Sequence, residues 1–328
     1  MATRRHQGRS DAPDIFHPPG GYTTILAPPG LPVIEISRDF DACDHLIFEA
    51  YTNPRVIPRW FTPEGMDCIR CDVQLHAGGE YRVVNRSRDG VTYGCGGVYL
   101  EVRRPHRLTF TQSYDVAPGL ESQNTLAISE RAARATVEES VLHRTVPNRD
   151  AHASSGIGEA VRQAHHRLDR LLQSSMLSLD VMIEAPRRDV FAACTDLNAL
   201  SIWSAPLGYE VPYYEAYIRE GGQWRQMLRS SEGLESVIGG HYLEVANHSR
   251  LAFTHSWEPD AEEHSPETVV VMTFESIGGS TEIRLDQGFF ETRDALQKQR
   301  KMWTSALGRL AQLMRETPTP GVSGSRPG

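Results

Sequence analysis

Residues 96–111 read GGVYLEVRRPHRLTFT, and residues 239–254 read GGHYLEVANHSRLAFT. The two stretches lie 143 positions apart, and the same offset extends the match on both sides. Between Ile36 and Ile128 it gives 26 identities in 93 positions without a gap. Repetition at a fixed spacing is the sequence signature of a structural unit that is used more than once. The chain is therefore predicted to hold two copies of one domain.

The boundaries of the two copies follow from the repeat. With 328 residues, the chain is long enough for two ordinary domains. The first copy is predicted over residues 32–174 and the second over residues 175–316. Residues 1–31 are expected to form a flexible arm, and the low-complexity segment 317–328 (TPTPGVSGSRPG) a disordered tail. Residues 147–156 (PNRDAHASSG) have the composition of a polar loop.

Each copy has the pattern of an α+β domain. An alternating strand, at Val33–Ile36 or Leu179–Ile183, precedes two short helices. Strands bounded by turns follow near 67–76, 80–87, 91–102, 107–115, 123–130 and 134–143, and again near 210–219, 223–230, 234–245, 250–258, 267–276 and 280–288. A long amphipathic helix ends each copy. These elements predict two curved antiparallel sheets, each wrapped around its C-terminal helix with room for a ligand in between.

Composition argues against several classes of partner. The net charge is −8 and no basic stripe occurs, so a nucleic-acid binder is not expected. No apolar run of about 18 residues predicts a membrane span, and the first 20 residues lack the apolar segment of a secretory signal. Five sparse cysteines favour the reducing cytoplasm. No phosphate-binding loop or metal-ligand cluster is found, so no cofactor and no metal are predicted.

Three motifs make the fold recognisable. They are residues 60–65 (WFTPEG), with the pattern Trp-x-x-Pro-x-Gly, residues 75–82 (LHAGGEYR) and residues 97–111. With these motifs both copies resemble the Hsp90-activator-like (AHSA1-like) branch of the START/Bet v1, or SRPBCC, superfamily. The second copy departs from the pattern in having His248 where the first has Pro105. The resemblance implies two tandem helix-grip domains that bind hydrophobic ligands. It implies less about function, because the superfamily includes lipid carriers, hormone receptors, co-chaperone domains and polyketide aromatase/cyclases.

Side chains on the inward strand faces are the candidate ligand contacts. The predicted ligand-binding residues are Trp60, Tyr81, Gln112, Tyr114, Trp203, Trp224, Phe253, Trp257 and Trp303. Three ionisable side chains on the same faces are the candidate acid–base catalysts: His255, His241 and Glu139. A buried histidine more often does no more than satisfy a hydrogen bond, so catalysis stays one of two readings.

The resemblance leaves several functions open. Tandem START-like chains of this length look like didomain aromatase/cyclases, which implies a cofactor-independent cyclase or dehydratase acting on a polyketide-like intermediate. The alternative is a non-catalytic carrier or sensor of a small hydrophobic molecule, and both roles need the same cavity. An Hsp90-type co-chaperone ranks last, because residues 1–30 hold no separate Hsp90-binding domain. Exposed edge strands could also pair two chains into a homodimer.

Overall fold

The computed structural model of the protein describes residues 21–258 and 266–316. Residues 1–20 of the predicted arm and the whole predicted tail lie outside the described residues. The first half contains, in chain order, β1 (Thr24–Leu26), β2 (Val33–Phe40), α1 (Asp44–Thr52), α2 (Ile57–Phe61), β3 (Met66–Val73), β4 (Glu80–Ser87), β5 (Thr92–Arg103), β6 (Arg107–Tyr114), β7 (Ser122–Arg131), β8 (Arg134–His143), α3 (Val146–Ser154) and α4 (Ile157–Ser175).

The second half repeats this order without counterparts of β1 and α3 among its described residues. It contains β9 (Met176–Ile183), α5 (Arg187–Ala193), α6 (Leu197–Trp203), β10 (Tyr209–Ala216), β11 (Gln223–Ser230), β12 (Glu235–Ala246), β13 (Arg250–Trp257), β14 (Thr268–Ile277), β15 (Ser280–Gly288) and α7 (Arg293–Glu316). Across the described ranges, no helix is both long enough and apolar enough to cross a membrane.

The predicted α+β class and the two tandem copies are confirmed. The first sheet has eight strands in the order β1-β2-β8-β7-β6-β5-β4-β3, and the second has seven in the order β10-β11-β12-β13-β14-β15-β9. In each copy the long helix packs on the inner face of its sheet. Leu168 and Leu172 of α4 share one core with Leu126 and Val137 of the sheet. In the second copy, Leu307 and Leu310 of α7 likewise share one core with residues of their own sheet.

The Gly-Gly pairs recur because the backbone is crowded there. A Cβ atom at Gly97 would lie 1.8 Å from the carbonyl oxygen of Thr111, and one at Gly240 would lie 1.9 Å from that of Thr254. Real Cβ atoms do not approach so closely, so glycine is required at both positions. A β-bulge follows two residues later in each copy, at 99–101 and 242–244. A bulge bends its strand and changes which side chains face the core.

Two elements differ from the sequence-based expectation. Residues 147–156 were expected to be a loop, but most of them belong to α3, where the Thr145 side chain caps the helix by accepting a hydrogen bond from the Asn148 amide. Pro147 stands in the first turn, where a proline is well tolerated. The second is β1, a three-residue strand paired with β2 in a segment expected to be flexible.

The gap-free alignment of the copies also fails near its end. Leu108 pairs with Leu126 across β6 and β7, and the equivalent Leu251 pairs with Met272 across β13 and β14. The offset between copies is therefore 143 up to β6 and 146 across β7 and β8, as these pairs give 251 − 108 and 272 − 126. The extra residues fall in the connection between the two strands, because a loop accepts insertions that a sheet does not.

The two copies meet through α1 of the first and the outer face of the second sheet. Cys43 and Leu46 are 2% and 0% exposed, and they pack against Ala252, Val269 and Val271. This contact is apolar and buried on both sides. The first copy thus covers a face of the second sheet that would otherwise meet water.

An ionic cluster borders this apolar contact. Arg250 of the second copy reaches Asp44 and, at 3.0 Å, Glu130 of the first copy. His45 Nε2 lies 2.8 Å from Glu244 Oε2. Burial alone would raise the pKa of Asp44, but the Arg250 charge, His45 and hydrogen bonds from Arg250 and Glu130 together lower it. The pKa of Glu130, by contrast, is raised by burial.

Candidate functional site

A cavity of two adjoining chambers lies between the first sheet and α4. The inner chamber has a volume of about 120 Å³ and the outer one about 270 Å³. Five residues line both and so connect them: Phe61, Gln112, Glu139, Val161 and Ala164. Engineered cavities of roughly 150 Å³ bind benzene-sized molecules, so this space suits a small ligand with a ring or short chain.

Aromatic rings form much of the wall of the inner chamber. Tyr81, Tyr99 and Phe110 contact one another, with ring centroids 5.4, 5.6 and 6.2 Å apart. Trp60 also lines it, and its indole Nε1 donates to the backbone oxygen of Ala50 at 2.9 Å. Three of these rings come from neighbouring strands. Alternate residues of a strand face the same side of the sheet, so these strands can direct their rings into one chamber. The wall is therefore apolar with few exposed polar atoms.

Glu139 on β8 supplies a carboxyl group to this cavity. Asn124 on β7 donates from Nδ2 to Glu139 Oε1 at 2.8 Å, and the second oxygen, Oε2, bonds to no described residue. Burial raises the pKa of Glu139, although the Asn124 bond opposes the shift. The residue is half-buried and lines both chambers. Such a group holds a proton more readily than an exposed glutamate does.

A short hydrogen-bonded chain crosses the cavity beside Glu139. The Tyr81 hydroxyl donates to the carbonyl oxygen of Thr111 at 3.1 Å, and it lies 3.4 Å from Gln112 Oε1. Gln112 Nε2 in turn donates to the Tyr114 hydroxyl. Burial raises the pKa of both phenols, so both are neutral at physiological pH. They can therefore offer hydrogen bonds to a ligand but no charge.

His165 and Tyr51 also line the inner chamber, although neither is among the predicted ligand contacts. The Tyr51 hydroxyl lies 3.1 Å from His165 Nε2, and Thr23 Oγ1 lies 3.1 Å from His165 Nδ1. Burial, assisted by the nearby Arg38 charge, lowers the pKa of His165 to about 3, so the ring is neutral. The available signal was its place directly after Ala164, on the apolar stripe of the long helix.

The matching space in the second copy is much smaller, about 50 Å³. Trp224 and Trp303 fill it, and they are 6% and 9% exposed. The Trp224 indole donates to the backbone oxygen of Thr254 at 3.0 Å, and that of Trp303 to Gln287 Oε1 at 2.7 Å. Of the other predicted contacts, Trp203 and Phe253 also line this space. A wall held by such hydrogen bonds leaves little room for a ligand.

His255 lies among the tryptophans of the second copy. Its ring is 5.9 Å from that of Trp224, 6.3 Å from that of Trp303 and 6.5 Å from that of Trp257, between centroids. It is 4% exposed, and burial lowers its pKa to about 4. Trp257 contacts His255 without lining the cavity. The imidazole is therefore neutral and a weak base, in a space with little room for a substrate.

His241 does not reach the cavity, so its predicted inward position is wrong. The expectation placed it on one face with Leu243 and Val245 by simple alternation. The bulge at 242–244 interrupts that alternation. Tyr242 therefore faces the core at 4% exposure, and His241 points to solvent.

The two interiors differ at three pairs of equivalent positions: Tyr81 and Trp224, Val161 and Trp303, and Glu139 and Leu285. An indole takes more room than a phenol or an isopropyl group, which accounts for the smaller space in the second copy. The second copy also lacks the carboxyl group, because Leu285 stands in place of Glu139. The features of a ligand site therefore converge in the first copy.

Several solved structures resemble part of this chain. A protein from Rhodobacter sphaeroides is 29% identical, with a TM-score of 0.44, over 46% of this chain and 98% of its own. The AHSA1 protein from Silicibacter pomeroyi is 24% identical, with a TM-score of 0.40, over 44% of this chain and 100% of its own. Protein Ms6760 from Mycobacterium smegmatis is 18% identical, with a TM-score of 0.42, over 46% of this chain and 96% of its own. No curated protein matches the chain in sequence.

The sequence profile of one family matches the chain twice. The profile is that of the Activator of Hsp90 ATPase homolog 1-like protein, and it matches residues 41–173 and 184–315. Each match begins just before the first short helix of a copy and runs into its long helix, so β1, β2 and β9 precede the matched residues. The chain therefore belongs to the Activator of Hsp90 ATPase homolog 1-like protein family, with the family's domain present twice.

Proposed function

We propose that the first copy binds a small, largely apolar molecule between its sheet and α4. The observation that carries this proposal is the two-chambered cavity, with volumes of about 120 and 270 Å³. Well-packed interiors hold few voids larger than a water molecule, and a void of this size costs stability. Its apolar wall and few polar groups are typical of a small-molecule site.

The second copy has a structural role in this proposal. Its interior holds about 50 Å³, and two hydrogen-bonded tryptophans occupy the space that is open in the first copy. One chain should therefore bind one ligand.

The test is to fill the cavity of the first copy with the kind of side chain that occupies the equivalent space in the second copy. Val161→Trp places an indole on α4 where the second copy has Trp303. Binding of the neutral fluorescent probe N-phenyl-1-naphthylamine is measured by titration. We expect one site per wild-type chain and an affinity at least about tenfold lower in the variant, because an indole removes most of the inner chamber. Val91→Trp, at an exposed residue, is the matched control. Absence of probe binding to the wild type, or equal binding by Val161→Trp, would overturn the proposal.

A second candidate function is acid–base catalysis on the bound molecule. The raised pKa of Glu139 favours it, since a carboxyl group that burial helps to keep its proton can donate that proton to a carbonyl or departing hydroxyl oxygen. The reaction would be a cofactor-independent cyclisation or dehydration of a polyketide-like intermediate. Product analysis by mass spectrometry separates the two roles. A catalyst converts a poly-ketone that Glu139→Gln binds but leaves unchanged, whereas a carrier returns every bound compound intact.

A further inference from the structure

The cavity of the first copy holds a carboxyl group without a cation. Glu139 Oε1 accepts a hydrogen bond from the neutral Asn124, and Oε2 is left free. In the described part of the chain, Glu139 forms no ion pair. Buried carboxylates are normally paired, so a free one inside a ligand cavity needs an explanation.

The titratable and charged groups around Glu139 do not supply the missing charge. Those that line the cavity or act on Glu139 electrostatically are Tyr51, Tyr81, Cys95, Tyr99, Tyr114, His152, His165 and Arg167. Burial raises the pKa of the four phenols and of the Cys95 thiol, so all five groups are neutral. Burial lowers the pKa of His152 to about 4 and that of His165 to about 3, so both rings are neutral as well.

The two arginines nearest this region are engaged elsewhere. Arg167 lines the outer chamber, but its Nε donates to the backbone oxygen of Trp60 at 2.8 Å. Arg38 forms a buried ion pair with Asp169. Glu139 therefore has no cation paired with it, although Arg167 carries its charge at the wall of the outer chamber.

The aromatic wall favours a positive charge over a negative one. Ring faces carry negative electrostatic potential and attract an ammonium group, more strongly when water is excluded. Tyr81, Tyr99 and Phe110 border the same chamber as Glu139. A ligand carboxylate or phosphate would meet both these ring faces and the Glu139 carboxyl group. A neutral alcohol would leave Glu139 without a counter-charge.

We infer that the ligand of the first copy is an amine, with an ammonium group that pairs with Glu139 Oε2 and an apolar body that lies among the aromatic rings. This inference rests on the proposed function, because it assigns the chemical class of the ligand to that same cavity. The ligand brings the paired cation that Glu139 lacks. Pairing ionises Glu139, which then accepts hydrogen bonds from both Asn124 and the ammonium group.

The experiment compares three probes that share one apolar body: 4-phenylbutylamine, 4-phenylbutanol and 4-phenylbutyrate. Each is titrated into the full chain by calorimetry at pH 7.5. An alkylamine is protonated at this pH. We expect the amine to bind at least about tenfold more tightly than the alcohol, since a hydrogen bond to a charged group exceeds a neutral one. The butyrate should bind most weakly.

Variants assign the preference to one side chain. Glu139→Gln keeps the size of the side chain and its acceptor for Asn124, and should lower amine affinity by about tenfold while changing alcohol affinity by less than about twofold. Glu139→Asp should keep part of the amine preference. Glu138→Gln is the matched control, because it removes the same charge from the exposed neighbour on β8 and should change neither affinity.

Each outcome bears on one of the two claims. Equal affinities of the wild type for amine and alcohol, or an unchanged amine affinity in folded Glu139→Gln, would overturn the amine inference and leave the cavity proposal standing. Failure of all three probes to bind the wild type, or binding that survives Val161→Trp unchanged, would overturn both. Retention of the fold in each variant is checked by circular dichroism.

Discussion

Replacing Arg250 by methionine should loosen the contact between the two copies. The Arg250 side chain is 15% exposed and faces Asp44, Glu130 and, at 3.6 Å from its Nε, Glu244. Asp44 itself is 2% exposed. Methionine keeps much of the length and packing of the arginine stem but removes the charge. Three carboxyl groups would then crowd together without their shared cation.

The size of the effect follows from burial. Removing one partner of a buried pair costs about 3 to 5 kcal/mol, because the remaining charge stays buried and unpaired. The equivalent residue of the first copy, Arg107, pairs with Glu101 at 3.2 Å, with both side chains substantially exposed. Surface pairs of that kind contribute about 0 to 1 kcal/mol. Arg107→Met is therefore a control with the same chemical change at the same position of the repeat.

Differential scanning calorimetry is the suitable assay, since two contacting domains need not unfold as one unit. We expect Arg250→Met to lower the melting temperature several times more than Arg107→Met, and to separate the unfolding of the two copies. The difference should shrink at acid pH, where protons can neutralise the carboxyl groups left behind. Equal effects of the two substitutions at pH 7.5 would refute the claim that this cluster holds the copies together.

Two further predictions concern positions inside the copies. His255 has an unfolded pKa of about 6.5 and a folded pKa of about 4, so its neutral form is favoured on folding. It therefore contributes stability above pH 6.5, and this contribution, about 3 kcal/mol at most, is lost as pH falls towards 4. His255→Leu should lose less stability than the wild type over that pH interval, as measured by urea titrations. Gly97→Ala and Gly240→Ala should each lower the free energy of unfolding by more than about 2 kcal/mol, because the new methyl group meets a carbonyl oxygen. A normal melting temperature for either variant would contradict that geometry.

The fold could be predicted from the sequence because its signals are local and occur twice. Alternation, turn residues and the 143-residue offset placed most strands within a residue or two of their observed bounds. The exceptions have physical causes. The α3 helix is polar and depends on the Thr145 cap, a signal easily taken for a loop. The offset changes after β6 because an insertion in a connecting loop leaves the strands on either side intact.

The site was only partly accessible from sequence. Glu139 stood out because strand alternation put a carboxyl group on the face of Val137 and Val141, and the structure places it in the cavity. His241 was misplaced because a bulge shifts the alternation by one residue, and no residue type identifies a bulge with certainty. The difference in cavity volume was not predictable either, because it depends on how Trp303 of α7 meets the sheet, which is a tertiary contact.

The charges on the two sides of the contact between the copies disfavour its extension to further copies. The contact strip of the first copy is residues 43–46 (CDHL), and all four are buried. The matching residues 186–189 (PRRD) of the second copy place two exposed arginines at the start of α5. If α5 docked on the sheet of another first copy, Arg187 would meet Arg107 in the position where Asp44 now meets Arg250. An interface between unlike surfaces can repeat from one copy to the next and form an open chain. Here the like charges of Arg187 and Arg107 oppose that repetition. Duplication has therefore given one copy that keeps the cavity and another whose outer face seats its neighbour.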